Sequence, residues 1–308
     1  MKIHQQVVEF FSSMPLVSGW QEMQALFQRA ASRNPAHWLL PLRACEAVGG
    51  NAELAIPSVA AVACAHISIL LVDDMLDADP RGEYHQIGAP AASNLASAFQ
   101  AAALTALAQG IQEPASQRNA LVRFNEMFLS TAFGQFMDVQ AFSDEDVYWQ
   151  VTRTKSSPFF GAALQVGALA GGAALKVAEQ LYLLGCVYGE MIQVHDDLHD
   201  SMEIPANPDW VQGRRPLPIL FASLVRHPQQ ARFLELTRCI TEPGALQEAQ
   251  EILIHCGAVS YCVDQIAQRY RAAQAILSGL PLVNRVPIVS LVESVFTPVQ
   301  NLLAACQS

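Results

Sequence analysis

The stretch Ile69–Gly82, ILLVDDMLDADPRG, runs from an apolar segment into four aspartates. A second stretch, GEMIQVHDDLHDSM over Gly189–Met202, does the same. Asp73, Asp74 and Asp77 stand at i, i+1 and i+4, and Asp196, Asp197 and Asp200 repeat that spacing. On a helix, positions three and four apart share a face, so Asp73 lies over Asp77 and Asp196 over Asp200. Two carboxylates about 5.5 Å apart repel by ~3 kcal/mol at an effective dielectric of about 20. Near a helix C-terminus the macrodipole disfavours them further. A cation is needed to offset this, and a set of hard oxygen donors calls for Mg²⁺. A solvated acidic face is the competing reading. The recurrence of the spacing, and the apolar residues that crowd both clusters on the N-terminal side, favour metal. His195 and His199, four apart, would also suit zinc, but the glutamate base usual in that motif is missing.

Around these clusters the pattern is helical. Alanine and leucine abound, and sustained alternation of β-branched and polar residues is absent, as are Asn-Gly and Asp-Gly hairpins. Gly49-Gly50-Asn51, Glu113-Pro114, Gly171-Gly172, Pro205 to Pro208 and Glu242-Pro243-Gly244 punctuate the chain into roughly ten to thirteen helices. No repeat or low-complexity linker divides the 308 residues, which predicts one all-α domain over residues 1–308. Two uncharged stretches, Ala55–Val72 and Ser156–Leu175, are long enough to be weighed as membrane spans. The first holds Pro57, His66 and two serines; the second holds Gln165 and four glycines. Both read as core helices, and no membrane span is expected.

The chain carries 28 acidic against 18 basic side chains, a formal charge of −10, which argues against nucleic acid as a partner. Its seven cysteines include no CxxC pair, and the N-terminus lacks the plan of a signal peptide. A reduced, cytoplasmic setting is the expectation.

An ordered series of motifs resembles the trans-isoprenyl diphosphate synthase, or polyprenyl synthetase, family over roughly Cys45 to Ala222. The two aspartate clusters resemble the family's paired DDxxD motifs, and Arg81-Gly82 follows the first where the family has Arg-Arg-Gly. GQFMD (Gly134–Asp138) resembles Gly-Gln-x-x-Asp, and KSSPFFGAALQVGA from Lys155 resembles the Lys-Thr helix. QVHDD (Gln193–Asp197) resembles the entry to the second motif, and RPLP (Arg215–Pro218) stands where Lys-Thr-Leu-Pro is common. The resemblance implies a helical bundle of the isoprenoid synthase (class I terpenoid synthase) type. In it Asp73, Asp74, Asp77, Asp196, Asp197 and Asp200 would hold two or three Mg²⁺ ions against an allylic prenyl diphosphate. Asp73, Asp74, Lys155, Gln193 and Asp196 would carry catalysis. Arg81, Lys155, Arg215, His66 and Gln135 would contact substrate, with Phe159, Phe133 or Phe136 facing the allylic cation. Ser68, five residues before the first aspartate, would form the pocket floor with Phe99 as a plug, leaving room for a C15 or C20 chain. A homodimer is implied as well.

The series breaks at the second diphosphate site. In the family a Gly-Lys-Arg-x-Arg-Pro loop binds isopentenyl diphosphate. Here the corresponding stretch is Arg33-Asn-Pro-Ala-His-Trp38, with Asn34, Pro35 and His37 in place of the cations. Pro80 replaces one arginine of the Arg-Arg pair, Ser97 stands where many members have aspartate, and His66 is kept. The lysine after the second motif is missing, with Arg214 and Arg215 nearby. A diphosphate without cationic partners binds poorly, because its desolvation is uncompensated. The expectation is therefore Mg²⁺-dependent ionisation of the allylic diphosphate followed by cyclisation or quenching, the chemistry of a class I terpene synthase. The alternatives are a chain-elongating prenyltransferase whose acceptor site is rebuilt from Arg29, Arg33 or Arg43, prenyl transfer to another acceptor, and a regulatory subunit.

Overall fold

The computed structural model describes residues 2–140 and 144–305, and among them every regular element is helical. The first part comprises α1 (Lys2–Ser13), α2 (Gln21–Ser32), α3 (Leu40–Ala47), α4 (Ala52–Leu76), α5 (Tyr84–Ile87) and α6 (Ala89–Gly110). The middle holds α7 (Pro114–Asp138), α8 (Glu145–Lys155), α9 (Ser157–Ala170) and α10 (Leu175–Ser201). Then come α11 (Pro208–Gln212), α12 (Leu217–Leu224), α13 (Gln230–Leu236), α14 (Ala245–His255), α15 (Ala258–Gly279) and α16 (Val286–Ala305). These sixteen exceed the number expected because α5, α11 and α13 are too short to show a period.

The long helices start where side chains satisfy their free backbone N–H groups. Asn51 caps α4 by accepting from the Leu54 N–H at 3.1 Å. Glu113 caps α7 through the Ala115 and Ser116 N–H groups, with Pro114 at the first helical position. Asp144 caps α8 in the same way. Helix α4 stops directly after its acidic motif. Ala78 takes a left-handed conformation (φ 51°), and the Asp79 N–H returns to the Asp74 carbonyl at 2.9 Å, a Schellman closure made with alanine where glycine is usual.

Helix α4 is long and apolar enough to cross a membrane by length and composition, but 67% of its apolar window is buried in the protein. It packs along α6, and α9 packs along α10. The contacts are close. A Cβ on Gly110 would lie 2.2 Å from the Pro57 ring, and one on Gly185 would lie 2.5 Å from the Phe160 carbonyl. The main core collects apolar side chains from α1 to α4, α6, α7, α9, α10, α15 and α16, among them Phe11, Phe27, Trp38, Phe99 and Leu164. A smaller cluster around Trp210, Phe233 and Leu253 joins α11 to α14. Between these masses, the C-terminal ends of α4 and α10 border one cavity.

Candidate active site

The cavity has a volume of about 880 Å³. Its polar end is walled by Asp73 from α4 and Asp77 just past its end, Asp138 from α7, Asp196 and Asp200 from α10, and Asp209 from α11. Its apolar wall includes Ile69, Phe159, Phe160, Tyr188 and Ile192. Carboxylates from two helix ends therefore share one space, as the family resemblance implies.

Cations already stand among them. Lys155, at the end of α8, lies 2.6 Å from Asp138 and 3.1 Å from Asp73. Burial works against its charge, but Asp73 and Asp138 outweigh that and raise its pKa above the ordinary lysine value. Arg214 grips both oxygens of Asp77, at 2.5 and 2.7 Å, and reaches Asp209 at 3.7 Å. Gln135 adds a donor to Asp77 at 3.3 Å. Arg215 lines the cavity and makes no ion pair among the described residues.

One oxygen is left over. Asp73 Oδ1 is buried without a well-directed hydrogen bond, its one close contact being the Lys155 ammonium at 3.1 Å. Burial raises the pKa of Asp73, as it does those of Asp200 and Asp209. A buried carboxylate oxygen held only by the Lys155 ammonium, among other hard oxygen donors, fits a hard divalent ion such as Mg²⁺. At the α10 end, donor atoms of His199, Asp200 and Glu203 lie within 4.8 Å of one another. Glu203 is not part of the acidic motif and was not foreseen. The histidine pair expected of a zinc site does not form, because His195 turns to Asp196 at 3.5 Å while His199 joins Asp200 and Glu203.

Several expected roles change. Asp197 lines the cavity, but its carboxylate is consumed by structure. Oδ2 accepts from the Tyr148 hydroxyl at 2.7 Å and the Leu217 N–H at 2.8 Å, and Oδ1 accepts from Gln193 at 2.8 Å. Burial pushes its pKa up to about 6, against those donors. It pins α12 and orients Gln193, whose amide oxygen accepts from Ser156 at 2.7 Å. Asp197 thus acts as a buried acceptor rather than a ready metal ligand.

Asp74 lies off the cavity wall on the side of Asp79 and Gly82, its pKa raised to about 6 by burial and then by Asp79 and Asp73. Arg81 also turns away. It is 79% exposed and forks Asp79 at 2.9 Å, because Asp79 is two residues away and competes for it. Ser68 is fully buried outside the lining, and its hydroxyl has no partner. Phe99 stacks on Phe11 in the core at 5.8 Å and does not reach the cavity. Phe133 and Phe136 are exposed on α7, since the 3.6-residue period sends them to its outer face. Lys155, Gln193, His66, Phe159 and Arg215 do meet in the cavity.

Asp209 and the cavity role of Asp138 were missed. Asn207 caps α11 and Pro208 occupies its first position, which fixes where Asp209 points. That Asn-Pro-Asp signal was legible, whereas the five-residue helix it opens was too short for a period.

The part of the lining around His37 and His66 departs from a diphosphate site. His37 and His66 pack edge to face at 4.2 Å, each 5.9 Å from Phe159. Burial lowers their pKa values to about 4 and about 3, so both are neutral near pH 7. Arg29 pairs with Glu83, and Arg43 reaches the Pro287 carbonyl at 3.4 Å. Arg29, Arg33 and Arg43 all lie outside the lining.

Known proteins share this plan. The chain is 30% identical over 169 residues to geranylgeranyl diphosphate synthase of Methanosarcina mazei, a match covering 51% of each chain. It is 24% identical over 302 residues to geranylfarnesyl diphosphate synthase of Aeropyrum pernix, covering 92% of this chain and 94% of that one. The match thus spans about half of the first relative's length and nearly all of the second's. Geranylgeranyl pyrophosphate synthetase from the archaeon Geoglobus acetivorans superposes with a TM-score of 0.79 at 20% identity, over 96% of this chain and 95% of that one. This places the architecture with the isoprenyl synthase bundles. The polyprenyl synthetase profile matches residues 34–253, a span that takes in both aspartate motifs, Lys155 and the RPLP turn, and by it the chain belongs to the polyprenyl synthetase family.

Proposed function

We propose that the protein is a prenyltransferase acting on an allylic prenyl diphosphate, with C15 and C20 chains favoured. One observation carries the reading: carboxylates from the ends of α4 and α10, together with Lys155, Arg214 and Arg215, share a cavity that also has an apolar stretch of wall formed by Ile69, Phe159, Phe160 and Ile192. Asp73, Asp77, Asp196 and Asp200 would hold two or three Mg²⁺ ions. Bound there, Mg²⁺ supplies Lewis-acid neutralisation of the charge that gathers on a departing diphosphate. Lys155, Arg214 and Arg215 offer charge-assisted donors to the same oxygens. Ile69, Phe159, Tyr188 and Ile192 keep water from the allylic end, and the aromatic faces suit a carbocation.

Of the two fates of that cation, transfer is the one the relatives favour, since they are named as prenyl diphosphate synthases. This gives chain transfer precedence over the cyclisation expected from sequence. Cyclisation or quenching stays as a second reading on one observation, the neutral His37 and His66 where an acceptor diphosphate would need cations. A homodimer is also proposed. Leu129, Phe133 and Phe136 are exposed at i, i+4 and i+7 on α7, an apolar stripe that suits a second copy.

The test is incubation with Mg²⁺ and geranyl, farnesyl or geranylgeranyl diphosphate, with and without isopentenyl diphosphate, read by mass spectrometry. Metal-dependent diphosphate release with a prenylated acceptor supports the proposal. Acceptor-independent hydrocarbons or alcohols favour the second reading, and no release under any condition refutes both.

A further inference from the structure

Two side chains reach across the cavity rim to hold the end of α4. Arg214 grips both carboxylate oxygens of Asp77, at 2.5 and 2.7 Å. Gln212 donates to the Asp77 carbonyl at 3.1 Å. Asp77 is the C-cap of α4, so that carbonyl has no helical partner of its own. Among the described residues, no backbone hydrogen bond joins α4 to the segment from Met202 to Pro216. That segment is anchored elsewhere. The Trp210 indole N–H donates to the Ser201 carbonyl at 3.2 Å, and its buried ring packs against Phe233 in the smaller core cluster. Gln250 donates to the Glu203 carbonyl at 3.1 Å. Helix α11 is thus built on the second cluster, and its segment is hydrogen-bonded to the end of α4 through side chains alone.

The fork on Asp77 has a consequence for metal. Two parallel N–H groups take one lone pair from each carboxylate oxygen, and Gln135 takes a further position on Oδ1 at 3.3 Å. The guanidinium also repels any second cation that approaches the same oxygens. Asp77 and Arg214 are only 15% and 27% exposed, so solvent screens this repulsion weakly. A divalent ion therefore gains Asp77 only as Arg214 lets go. Arg214 keeps a counter-charge when it does: Asp209 lies 3.7 Å away, and its carbonyl accepts the Arg214 backbone N–H at 2.9 Å. What the freed guanidinium needs is another pair of anionic oxygens, and a diphosphate offers them in the geometry that suits the fork. Lys155 differs, since its shorter contact is to Asp138, at 2.6 Å against 3.1 Å to Asp73. It can stay in place while Asp73 takes another partner.

We infer that Arg214 is a tethered counter-ion that latches the α11 segment onto Asp77 in place of a divalent ion, and that a diphosphate opens the latch by drawing Arg214 to its own oxygens. Asp77 is then open to a metal only in the company of a diphosphate. This rests on the prenyl diphosphate reading of the cavity. A latch closed about 99% of the time weakens a competing ion by about a hundredfold.

The test is calorimetric binding of Mn²⁺, standing in for Mg²⁺, to the full chain, alone and with pyrophosphate at equal free ion. Wild type should bind Mn²⁺ alone weakly and far more tightly with pyrophosphate. Arg214→Gln should bind Mn²⁺ alone about tenfold or more tighter than wild type, and the gain from pyrophosphate should shrink by a similar factor. Adding Asp77→Asn to Arg214→Gln should abolish the tightening, which assigns it to Asp77. Arg214→Lys keeps the charge and loses the fork; it should tighten Mn²⁺ by a smaller factor, and it carries the test if Arg214→Gln folds poorly. Arg215→Gln removes the same charge from the same cavity and should leave Mn²⁺ alone within about threefold of wild type, since it shares no partner with Asp77. Tight binding of Mn²⁺ alone by wild type, an unchanged affinity in both Arg214 variants, equal tightening in Arg215→Gln, or a gain that survives Asp77→Asn overturns the latch and leaves the prenyl diphosphate reading standing. Absence of Mn²⁺ binding in every protein with pyrophosphate present overturns that reading and the latch with it.

Discussion

Gly134→Ala is expected to damage the site without touching any cavity residue's identity. A Cβ on Gly134 would lie 2.3 Å from the Lys155 nitrogen, 2.6 Å from its Cα and 2.7 Å from the Thr154 carbonyl carbon. All three are backbone atoms, so no side chain can swing aside. Restoring ordinary contact, roughly 3.4 Å or more, requires α7 and the α8–α9 junction to separate by about 1 Å. Lys155 rides on that junction, and its contacts of 2.6 Å to Asp138 and 3.1 Å to Asp73 bridge the same gap. Overpacking of this kind costs about 1–3 kcal/mol of stability. Displacement of a charged group by about 1 Å costs on the order of a hundredfold in rate. The assay is Mg²⁺-dependent diphosphate release from farnesyl diphosphate, run beside a thermal melt. Gly279→Ala is the control, because nothing lies within 4 Å of its added Cβ. Release within twofold of wild type together with an unchanged melt for Gly134→Ala would falsify the close-approach argument.

Other perturbations follow from the same contacts. Replacing Asp197 by Ala strands the Tyr148 hydroxyl, the Leu217 N–H and the Gln193 amide; a loss of about 3–5 kcal/mol in denaturant unfolding is expected, and under 1 kcal/mol would contradict the assigned role. The folded pKa of Asp197, about 6, lies above its ordinary value of 3.8 because the buried site favours the neutral acid. Its contribution is complete below about pH 4 and is lost as pH rises through about 6, so metal-free wild type should lose ~3 kcal/mol relative to Asp197→Asn between pH 4 and 7. A pH-independent difference between the two would refute this. Pyrophosphate with Mg²⁺ at about a hundred times its dissociation constant should stabilise the protein by ~2.7 kcal/mol, and Asp73→Asn should remove most of the shift seen in a melt. Ser68→Ala should be neutral or stabilising, because the hydroxyl it deletes is buried without a partner, and should leave substrate chain length unchanged; a changed product length would return Ser68 to the pocket floor.

The helical class and the stacking of each acidic set on one helix face were legible because both depend on local rules, whereas the meeting of the two sets was implied only by the family resemblance. The i, i+4 spacing puts Asp73 over Asp77 whatever surrounds them, and uncharged runs such as Ala55–Val72 need burial. The lack of a lysine or arginine from Asn34 to Trp38 was legible for the same reason, as composition. Which aspartates are free for a ligand was not. Asp196 and Asp197 are neighbours in the chain, yet one faces the cavity and the other is spent on Tyr148 and Leu217, groups 49 and 20 residues away. Arg214, 137 residues from Asp77, is taken by that carboxylate, and Trp38 donates to His66 from 28 residues away. Hydrogen bonding and ion pairing depend on closeness in space and are indifferent to separation in sequence. The short-range pattern therefore chose the helices and placed the carboxylates, and only packing decided which of them stayed available.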